Sequence, residues 1–313
     1  AYNTSEALCV KPSDGTGDFD FSRATEATRI NSLGLVETIG INLPRINYEG
    51  GCGSWLWEPQ STNLYLNSET LSTQTITTAA NQYSVSFYGT GTITFSGTHT
   101  GSLTGTSLND RVTATFTATS GTLTSTISGI VTKAQIEQLS YSTSYIPTSG
   151  SQKTRNKDLC TNGASVSSIN STEGVLYFEG STLVNGGSNR YISLSNNTSS
   201  NRLQVIFHNN SNRLSIGMAN PIGSVASIND FSFVQTNNNK VAVLYSALGL
   251  RLFVNGILRG SNTDNASFTP NTLTTLDFAL WNQTTAPFEG NIKCLAIWKE
   301  ALTDAELISL TTI

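Results

Sequence analysis

The chain has 313 residues, of which 12% are charged and 37% hydrophobic, and its formal net charge is −4. This length can bury one large core or two ordinary ones, and the lack of a strongly basic balance argues against nucleic acid as a partner. No run of about 18 apolar residues occurs, so the sequence predicts no membrane-spanning helix and no membrane partner. The abundance of Ser, Thr, Asn and Gly, with little Lys, Glu or Ala, is typical of short strands and tight turns, so we expect an all-β protein.

The chain opens with a segment that we expect to be extended. Its first ten residues, AYNTSEALCV, lack a basic region followed by an apolar core, so no secretory signal is predicted. Because it starts at Ala1 without an initiator Met, we expect the chain to be part of a longer product. Three stretches follow, FSRATEATRINSLG, INLPRINYEGGCG and WLWEPQSTNL. We interpret residues 1–70 as an extended arm that packs on the domain after it.

The arginines of this arm could suggest an active site, because guanidinium groups bind carboxylates in a bidentate manner. We favour a structural role, in which they fix the arm by pairing with its own glutamates. The arginines are Arg23, Arg29 and Arg45, and the candidate partners are Glu26, Glu37 and Glu58.

Residues 71–150 alternate apolar and polar side chains in several short runs, such as YSVSFYG (Tyr83–Gly89) and RVTATFTA (Arg111–Ala118). Runs that recur about every 8–12 residues and end in Gly, Ser or Asn predict the antiparallel strands of a small sandwich. Residues 151–158 are polar and charged, and they follow a break at Pro147. We therefore predict that they are a linker between two domains.

The last part of the chain, residues 159–313, contains the clearest local signals. The stretch LRLFVNGILRG carries Asn255–Gly256, the pair that a type I′ hairpin turn requires. Near the end, Thr303 is followed three residues later by Glu306, which is the pattern of a capping box. We predict one short helix, Asp304–Leu310, and strands elsewhere.

Two resemblances to known families cover nearly the whole chain. FSRATEATR, WLWEPQSTNL, AQIEQ, TSYIPTSGS and TRNKD resemble, in that order, a module common in bacteriophage appendage proteins, which a lectin-like domain often follows. LRLFVNG and FEGNIKCLAIWKEALTDAELISL resemble the laminin-G-like or concanavalin A-like jelly roll. Together they imply an N-terminal extended arm plus small β-sandwich, followed by a jelly-roll sandwich with one short C-terminal helix.

The resemblances imply a structural protein of the phage virion, a surface fibre or decoration that contacts host-surface glycans. A dedicated carbohydrate-binding adhesin is the alternative, and a polysaccharide depolymerase is the least favoured reading. The implied location is the virion surface, and the implied partners are other virion proteins, host-cell polysaccharide and further copies of the chain.

A retaining glycosidase needs two carboxylates about 5–5.5 Å apart. No strand pattern in this sequence places two acids at alternate positions, and Glu179, Asp277 and Glu289 stand singly. We therefore predict that the chain is not an enzyme and needs no cofactor.

A glycan-binding site would combine an aromatic face with amides, because a sugar packs its C–H face on a ring while its hydroxyl groups need polar partners. Trp281, Asn282 and Gln283 have this chemistry at an expected strand end, and Asn189 and Arg190 lie on a loop that could approach them. The alternative is that Trp281 is the large core residue of its strand. We expect Trp298 to be a core residue beneath the helix, and Trp55 and Trp57 to form one ridge, either at an interface or in the core.

Two further sets of residues leave alternatives open. Calcium is common near the rim of this fold, and Asp230 and Asp264 are weak candidates for binding it; we predict no other metal site. The four cysteines fall two to each half, as Cys9 and Cys52 and as Cys160 and Cys294. Each pair could form a disulfide or remain two thiols, and the jelly-roll resemblance implies that Cys160 and Cys294 lie close together.

Overall fold

The structure is a computed structural model that describes residues 18–220 and 226–313. Strands make up 51% of these described residues and helix only 3%, so the all-β prediction is confirmed. The chain folds into two compact units. The N-terminal unit contains Ala24–Ile41 and Pro59–Lys157, and the C-terminal unit contains residues 18–23, Asn42–Glu58 and Asp158–Ile313. Within the described residues, no helix is long and apolar enough to cross a membrane.

The described residues form short strands and one helix. The strands of the first half are β1 (Asp20–Ser22), β2 (Ala27–Ile30), β3 (Val36–Ile39), β4 (Ile46–Asn47), β5 (Ser54–Trp57), β6 (Ser61–Asn63), β7 (Gln74–Thr78), β8 (Asn81–Gly89), β9 (Thr92–Gly97), β10 (Gly101–Thr104), β11 (Ser107–Ala118), β12 (Gly121–Ser128), β13 (Val131–Glu137) and β14 (Lys153–Arg155). Those of the second half are β15 (Leu159–Thr161), β16 (Gly174–Thr182), β17 (Arg190–Thr198), β18 (Asn201–Phe207), β19 (Leu214–Ala219), β20 (Ser227–Asp230), β21 (Asn239–Ser246), β22 (Gly249–Val254), β23 (Ile257–Asn262), β24 (Thr275–Asp277) and β25 (Gly290–Trp298), followed by helix α1 (Asp304–Thr311).

The N-terminal unit is the predicted small β-sandwich. Its main sheets have the strand orders β10-β9-β12-β7 and β11-β8-β13, and two short pairs, β2-β3 and β14-β6, complete it. Every pairing in these sheets is antiparallel. Apolar residues from both main sheets, including Val85, Phe87, Ile93 and Leu123, share one buried core. The alternating runs of the sequence therefore correspond to strands with one face in this core.

The residues that carry the N-terminal resemblance form a buried hydrogen-bond network. Asn63 Nδ2 donates to the carbonyl of Ile146 at 2.9 Å, and the N–H of Ile146 donates to Gln135 Oε1 at 2.5 Å. Glu137 accepts from the N–H of Thr143 at 2.9 Å. Asn63, Gln135 and Glu137 have no exposed surface. Because buried polar groups need hydrogen-bond partners, packing alone accounts for these residues, and they do not indicate a binding site.

The prediction of a linker at residues 151–158 is wrong. Lys153–Arg155 forms β14 and pairs with β6. Arg155 is buried and donates Nη2 to the carbonyl of Pro59 at 2.7 Å, and Asp158 is also buried. A short charged run resembles a solvated linker in sequence, but Arg155 and Asp158 are buried because each meets a partner that is distant in sequence.

The described part of the predicted arm, residues 18–70, is divided between the two units, so only some of it belongs to the first sandwich. Asn42–Glu58 belongs to the C-terminal unit, where Trp55 pairs with both Ile46 and Ile292. This part of the arm therefore adds β4 and β5 to a sheet of the second domain. The segment WLW is apolar, and it joins this sheet because pairing with β4 and β25 places it against the C-terminal core.

The C-terminal unit is a sandwich of two antiparallel sheets. The seven-stranded sheet has the order β23-β22-β21-β16-β25-β5-β4, and the five-stranded sheet has the order β20-β19-β18-β17-β24. Their facing sides bury one large apolar core that includes Leu176, Phe178, Leu203, Val205 and Phe207. β1 and β15 form a further short pair.

The local predictions in this unit are confirmed. Asn255 and Gly256 have φ angles of 52° and 79° and join β22 to β23, as the type I′ turn requires. Thr303 and Glu306 form the capping box of α1, with the N–H of Thr303 donating to Glu306 Oε2 at 2.8 Å. The helix is the only one within the described residues, and its Leu307 is fully buried.

Trp57 and Trp298, both on the seven-stranded sheet, are core residues, whereas Trp55 is half-buried and packs against the core. Trp298 is buried in the cluster beneath α1. Trp55 and Trp57 stack with ring centroids 5.8 Å apart, and Trp57 meets Phe278 edge to face at 5.5 Å. Because β5 places residues two apart on one face, the two rings form the predicted ridge.

Cys160 and Cys294 are free thiols, so the disulfide considered for this pair is absent. Cys160 on β15 is buried in the core, whereas Cys294 on β25 is exposed. The two strands have different partners, because β15 pairs with β1 and β25 pairs with β16 and β5. Cys52 is exposed and also free, and Cys9 lies outside the described residues.

Candidate functional site

The five-stranded sheet has a polar outer face. Side chains alternate along a strand, so the residues between its core positions point away from the core. The strand registers arrange them in rows across the sheet. The central row is Asp277, Ser193, Gln204, Gly217 and Ser227. The row on one side is Tyr191, Ile206, Ser215 and Asn229, and the row on the other side is Thr275, Ser195, Arg202 and Ala219.

Hydrogen bonds between neighbouring side chains hold this outer face in a fixed arrangement. Gln204 Nε2 donates to Ser193 Oγ at 3.3 Å, and Arg202 Nε donates to Gln204 Oε1 at 3.0 Å. Ser215 Oγ donates to Asn229 Oδ1 at 2.6 Å. Ser193, Gln204 and Ser215 are themselves buried, so these bonds order the surface of the sheet. Half-exposed Arg202 and exposed Asn229 are the groups of this network that a ligand can contact, and their positions are set before it arrives.

Gly217 leaves open space near the middle of this face. A Cβ atom built on Gly217 would meet only Ile206 Cδ1 within 4 Å, at 3.5 Å, which is ordinary van der Waals contact. Gly217 is itself half-exposed, and Ser227 and Asn229 on the neighbouring edge strand are exposed. This part of the outer face is accessible to a ligand.

A loop after β24 leans over one side of the outer face. Ser193 Oγ donates to the carbonyl of Ala279 at 2.8 Å, which fixes the start of the loop above the sheet. The loop then turns tightly, with the N–H of Gln283 donating to the carbonyl of Leu280 at 2.8 Å. Trp281 lies in this turn and is half-buried. The alternative that Trp281 is a core residue of its strand is wrong, because β24 ends at Asp277.

Gln283 anchors this loop to a buried carboxyl group. Its Nε2 donates to Asp277 Oδ1 at 3.2 Å and also to Asn162 Oδ1. Asp277 is fully buried and accepts further hydrogen bonds from the N–H of Asn162 at 2.8 Å and from Thr275 Oγ1 at 3.1 Å. Burial raises the pKa of Asp277 to about 6, although these hydrogen bonds lower it. Gln283 therefore positions the loop, in which Trp281 and Asn282 are also half-buried.

The two other predicted glycan contacts, Asn189 and Arg190, have different environments, and only Asn189 is accessible. β17 begins at Arg190 where the antiparallel β24 ends, so Asn189 and Trp281 lie at the same end of the sheet. Asn189 is half-exposed, and its Oδ1 accepts from the N–H of Asn209 at 2.8 Å.

The prediction that Arg190 contacts a ligand is wrong. Arg190 is 1% exposed and donates to the carbonyls of Val184, at 3.2 Å, and Gly186. Its Nε also lies 3.6 Å from Glu289 Oε2. The guanidinium group donates its hydrogen bonds to the loop that precedes β17. It is therefore buried and cannot contact a ligand.

The weak calcium candidates, Asp230 and Asp264, are not part of a cluster of metal-binding side chains within the described residues. Asp230 is buried, accepts from the N–H of Ser232 at 2.8 Å and lies 3.6 Å from Arg259 Nε. Asp264 is exposed. Within the part of the chain that the structure describes, no three His, Cys, Asp or Glu side chains are grouped to hold a metal ion.

The three isolated carboxylates occupy different environments. Glu179 lies on β16 of the seven-stranded sheet and accepts from Asn238 Nδ2 at 2.7 Å. Asp277 lies on the five-stranded sheet, and Glu289 pairs with Arg190. These contacts do not form the pair of carboxylates that glycoside hydrolysis needs.

The sequence interpretation missed the polar rows of the outer face. The alternation was visible in RYISLS, RLQVIFH and RLSIGM, which are β17, β18 and β19. Each run shows which residues point outward, but the register that aligns Ser193, Gln204 and Gly217 depends on strand pairing, which no single run encodes.

Two antiparallel sheets of seven and five strands around one core, with a polar outer face on the smaller sheet, define the C-terminal unit as a jelly-roll sandwich of the lectin-like type. The family model described as "Concanavalin A-like lectin/glucanases superfamily" matches residues 148–308, just over half of the chain. The chain belongs to this superfamily. The prediction of a concanavalin A-like domain is therefore confirmed.

Solved structures show weaker similarity. The IT-sialidase CBM40 of Ruminococcus gnavus bound to α2,3-sialyllactose is 17% identical, with 45% of this chain and 83% of that chain covered and a TM-score of 0.39. The NanB sialidase from Streptococcus pneumoniae is 13% identical, with 47% of this chain and 25% of that chain covered and a TM-score of 0.40. The botulinum neurotoxin serotype G binding domain is 17% identical, with 48% of this chain and 39% of that chain covered and a TM-score of 0.38. No curated protein matches the chain in sequence.

Proposed function

We propose that the chain is a non-catalytic virion protein of a bacteriophage that binds a surface glycan on the outer face of its five-stranded sheet. The observation that carries this proposal is the accessible part of the face around Gly217, where polar groups are exposed on a sheet whose neighbouring loop carries a half-buried indole. Ser227 and Asn229, which are exposed, can satisfy sugar hydroxyl groups, and Trp281 offers a ring to a sugar C–H face. The superfamily includes lectins by its description, which supports the same function.

The virion part of the proposal rests on sequence. FSRATEATR, WLWEPQSTNL, AQIEQ and TRNKD resemble a module of phage appendage proteins, and the N-terminal unit forms a sandwich with a mostly Thr and Ser surface. Such a module suits a fibre or decoration at the virion surface, in contact with other virion proteins and further copies of itself. A free adhesin is the alternative. Antibodies raised against the chain should label intact phage particles, and labelling of cell lysate alone would favour the adhesin.

Blocking the outer face tests the glycan-binding part. Gly217→Phe places a ring in the open part of the face, where its Cβ meets only Ile206, so the fold should tolerate the change. We expect wild-type protein to bind members of a panel of bacterial polysaccharides and Gly217→Phe to lose this binding without a change in melting temperature. Thr94→Phe, at an exposed strand position of the N-terminal unit, is the matched control and should bind normally. Equal binding by the wild type and Gly217→Phe would place the site elsewhere.

A further inference from the structure

The arginines of the C-terminal unit fall into two groups. Five of them lie within 4.0 Å of a carboxylate, and these are Arg23, Arg45, Arg190, Arg251 and Arg259. Arg202 and Arg213 differ, because among the described residues neither makes an ion pair with a carboxylate. Both are half-exposed, and both belong to the five-stranded sheet or its loops.

Neutral amide oxygens hold these two guanidinium groups in place. Arg202 Nε donates to Gln204 Oε1 at 3.0 Å, and Arg213 Nη2 donates to Asn229 Oδ1 at 2.9 Å. Arg213 also lies over the ring of Phe231, with Cζ 5.2 Å from the centroid, and Phe231 is 70% exposed. Each arginine is therefore oriented by its neighbours while its positive charge stays uncompensated.

The positive charge of Arg213 affects the neighbouring His208. Burial and then the positive charge of Arg213 lower the pKa of His208, although a hydrogen bond with Asn209 raises it. His208 is therefore mainly neutral near pH 7, and Arg213 supplies the charge at this end of the sheet. An anionic group arriving here would meet a guanidinium with no carboxylate competing for it.

The two arginines mark opposite ends of the outer face. Arg202 stands opposite Ala219 in the register of β18 and β19, whereas Arg213 immediately precedes Leu214, the first residue of β19. Six residues of strand separate these positions, or about 20 Å at the usual rise per residue. The guanidinium groups lean toward the rows between these positions, where they bond to Gln204 and Asn229, so a ligand that pairs with both arginines lies across these rows.

We infer that the glycan bound by this face is an acidic polysaccharide whose carboxylates pair with Arg202 at one end and Arg213 at the other. This inference rests on the proposed function and adds the chemical class of the ligand. Asp277, the carboxyl group in the central row, does not oppose it, because it is fully buried and its oxygens accept from Asn162, Gln283 and Thr275.

Matched pairs of polymers test the inference. Affinities would be measured by calorimetry for polygalacturonate, alginate and hyaluronate, each beside its carboxyl-reduced or methyl-esterified form, with polyphosphate as a polyanion without sugar. We expect at least one carboxylated polymer to bind more tightly than its neutral form and more tightly than polyphosphate. Raising the salt concentration should weaken that binding.

Charge-removing variants complete the test. Arg202→Gln and Arg213→Gln should each weaken binding of the carboxylated polymer about tenfold, since each removes a charge-assisted contact. Arg251→Gln is the control, because Arg251 is similarly exposed but pairs with Asp304. Melting temperatures would confirm that all variants fold.

The outcomes separate the inference from the function on which it rests. Binding to neutral glycans only, unchanged in Arg202→Gln and Arg213→Gln, would overturn the acidic ligand and leave glycan binding intact. Equal binding to polyphosphate would also overturn it, as a nonspecific charge effect. No binding to any glycan would overturn both.

Discussion

Arg23 donates Nη1 to Asp158 Oδ1 at 3.0 Å, although 135 residues separate them in the sequence. Asp158 also accepts from Arg45 Nη2 at 2.5 Å, and Arg45 Nη1 donates to Glu58 Oε2 at 2.7 Å. All four side chains are at most 3% exposed. Burial lowers the pKa of Arg45, but the charges of Glu58 and Asp158 outweigh this and raise it above its ordinary value. One carboxylate thus joins three separate segments of the C-terminal unit.

This relationship predicts that Asp158→Ala is severely destabilising. Removing the carboxylate takes from Arg23 and Arg45 the buried counter-charge that they share, and breaking a buried ion pair in this way costs about 3–5 kcal/mol. Glu37→Ala is the control: Glu37 pairs with Arg29 at 2.8 Å but is 41% exposed, so its loss should cost about 1 kcal/mol or less. Urea unfolding gives both free energies. Similar values for the two variants would mean that the buried cluster does not stabilise the unit.

The same cluster shows which features the sequence could reveal. Arg29 and Arg45 pair with Glu37 and Glu58, which are two of the three glutamates expected as partners for the arginines of the arm, and each pair lies within one segment. The pairing of Arg23 with Asp158 was not expected, because it depends on chain segments that meet only in the folded unit.

Other parts of the fold follow the same rule. The Asn255–Gly256 turn and the α1 capping box are local and were predicted correctly. The place of Asn42–Glu58 in the seven-stranded sheet of the C-terminal unit depends on strand pairing and was not predicted. At the candidate site, sequence indicated Trp281 by residue type, whereas the polar rows required the register of five strands.

The exposures of two tryptophans predict opposite results on truncation. Trp281→Ala should change the free energy of unfolding by only about 0.5 kcal/mol, because Trp281 lies in a turn and is half-buried. Trp57→Ala should cost about 3–5 kcal/mol, because Trp57 is 1% exposed and packs on Phe278. Measured together with glycan binding, Trp281→Ala should reduce binding in a stable protein. A large loss of stability in Trp281→Ala would instead make it a packing residue.

The free cysteines predict two classes of thiol reactivity. Cys52 and Cys294 are exposed and should react with a thiol reagent in the native protein. Cys160 is buried, and burial followed by the charges of nearby carboxylates raises its pKa well above the ordinary value, so it should react only after unfolding. Peptide mapping of protein labelled before and after denaturation would assign each site. A Cys160–Cys294 disulfide recovered from native protein would contradict the structure.

The buried carboxyl group of Asp277 predicts a pH-dependent stability. Its pKa is raised to about 6 in the folded protein by burial, against about 3.9 for an Asp in an unfolded chain. Folding therefore favours the protonated form, so the stabilisation is complete below pH 4 and is lost as the pH rises through 6. The shift corresponds to roughly 3 kcal/mol.

Asp277→Asn removes this titration while keeping an oxygen for the N–H of Asn162 and the amide of Gln283. Relative to the wild type, the variant should gain stability between pH 4 and pH 7, by up to the same amount. Differences in urea midpoints at several pH values measure this directly, because carboxylates common to both proteins cancel. Asp264→Asn, a change at an exposed position, is the control. If the stability of Asp277→Asn ran parallel to that of the wild type over this range, Asp277 would be ionised throughout, and its burial would have to be compensated by the three hydrogen bonds alone.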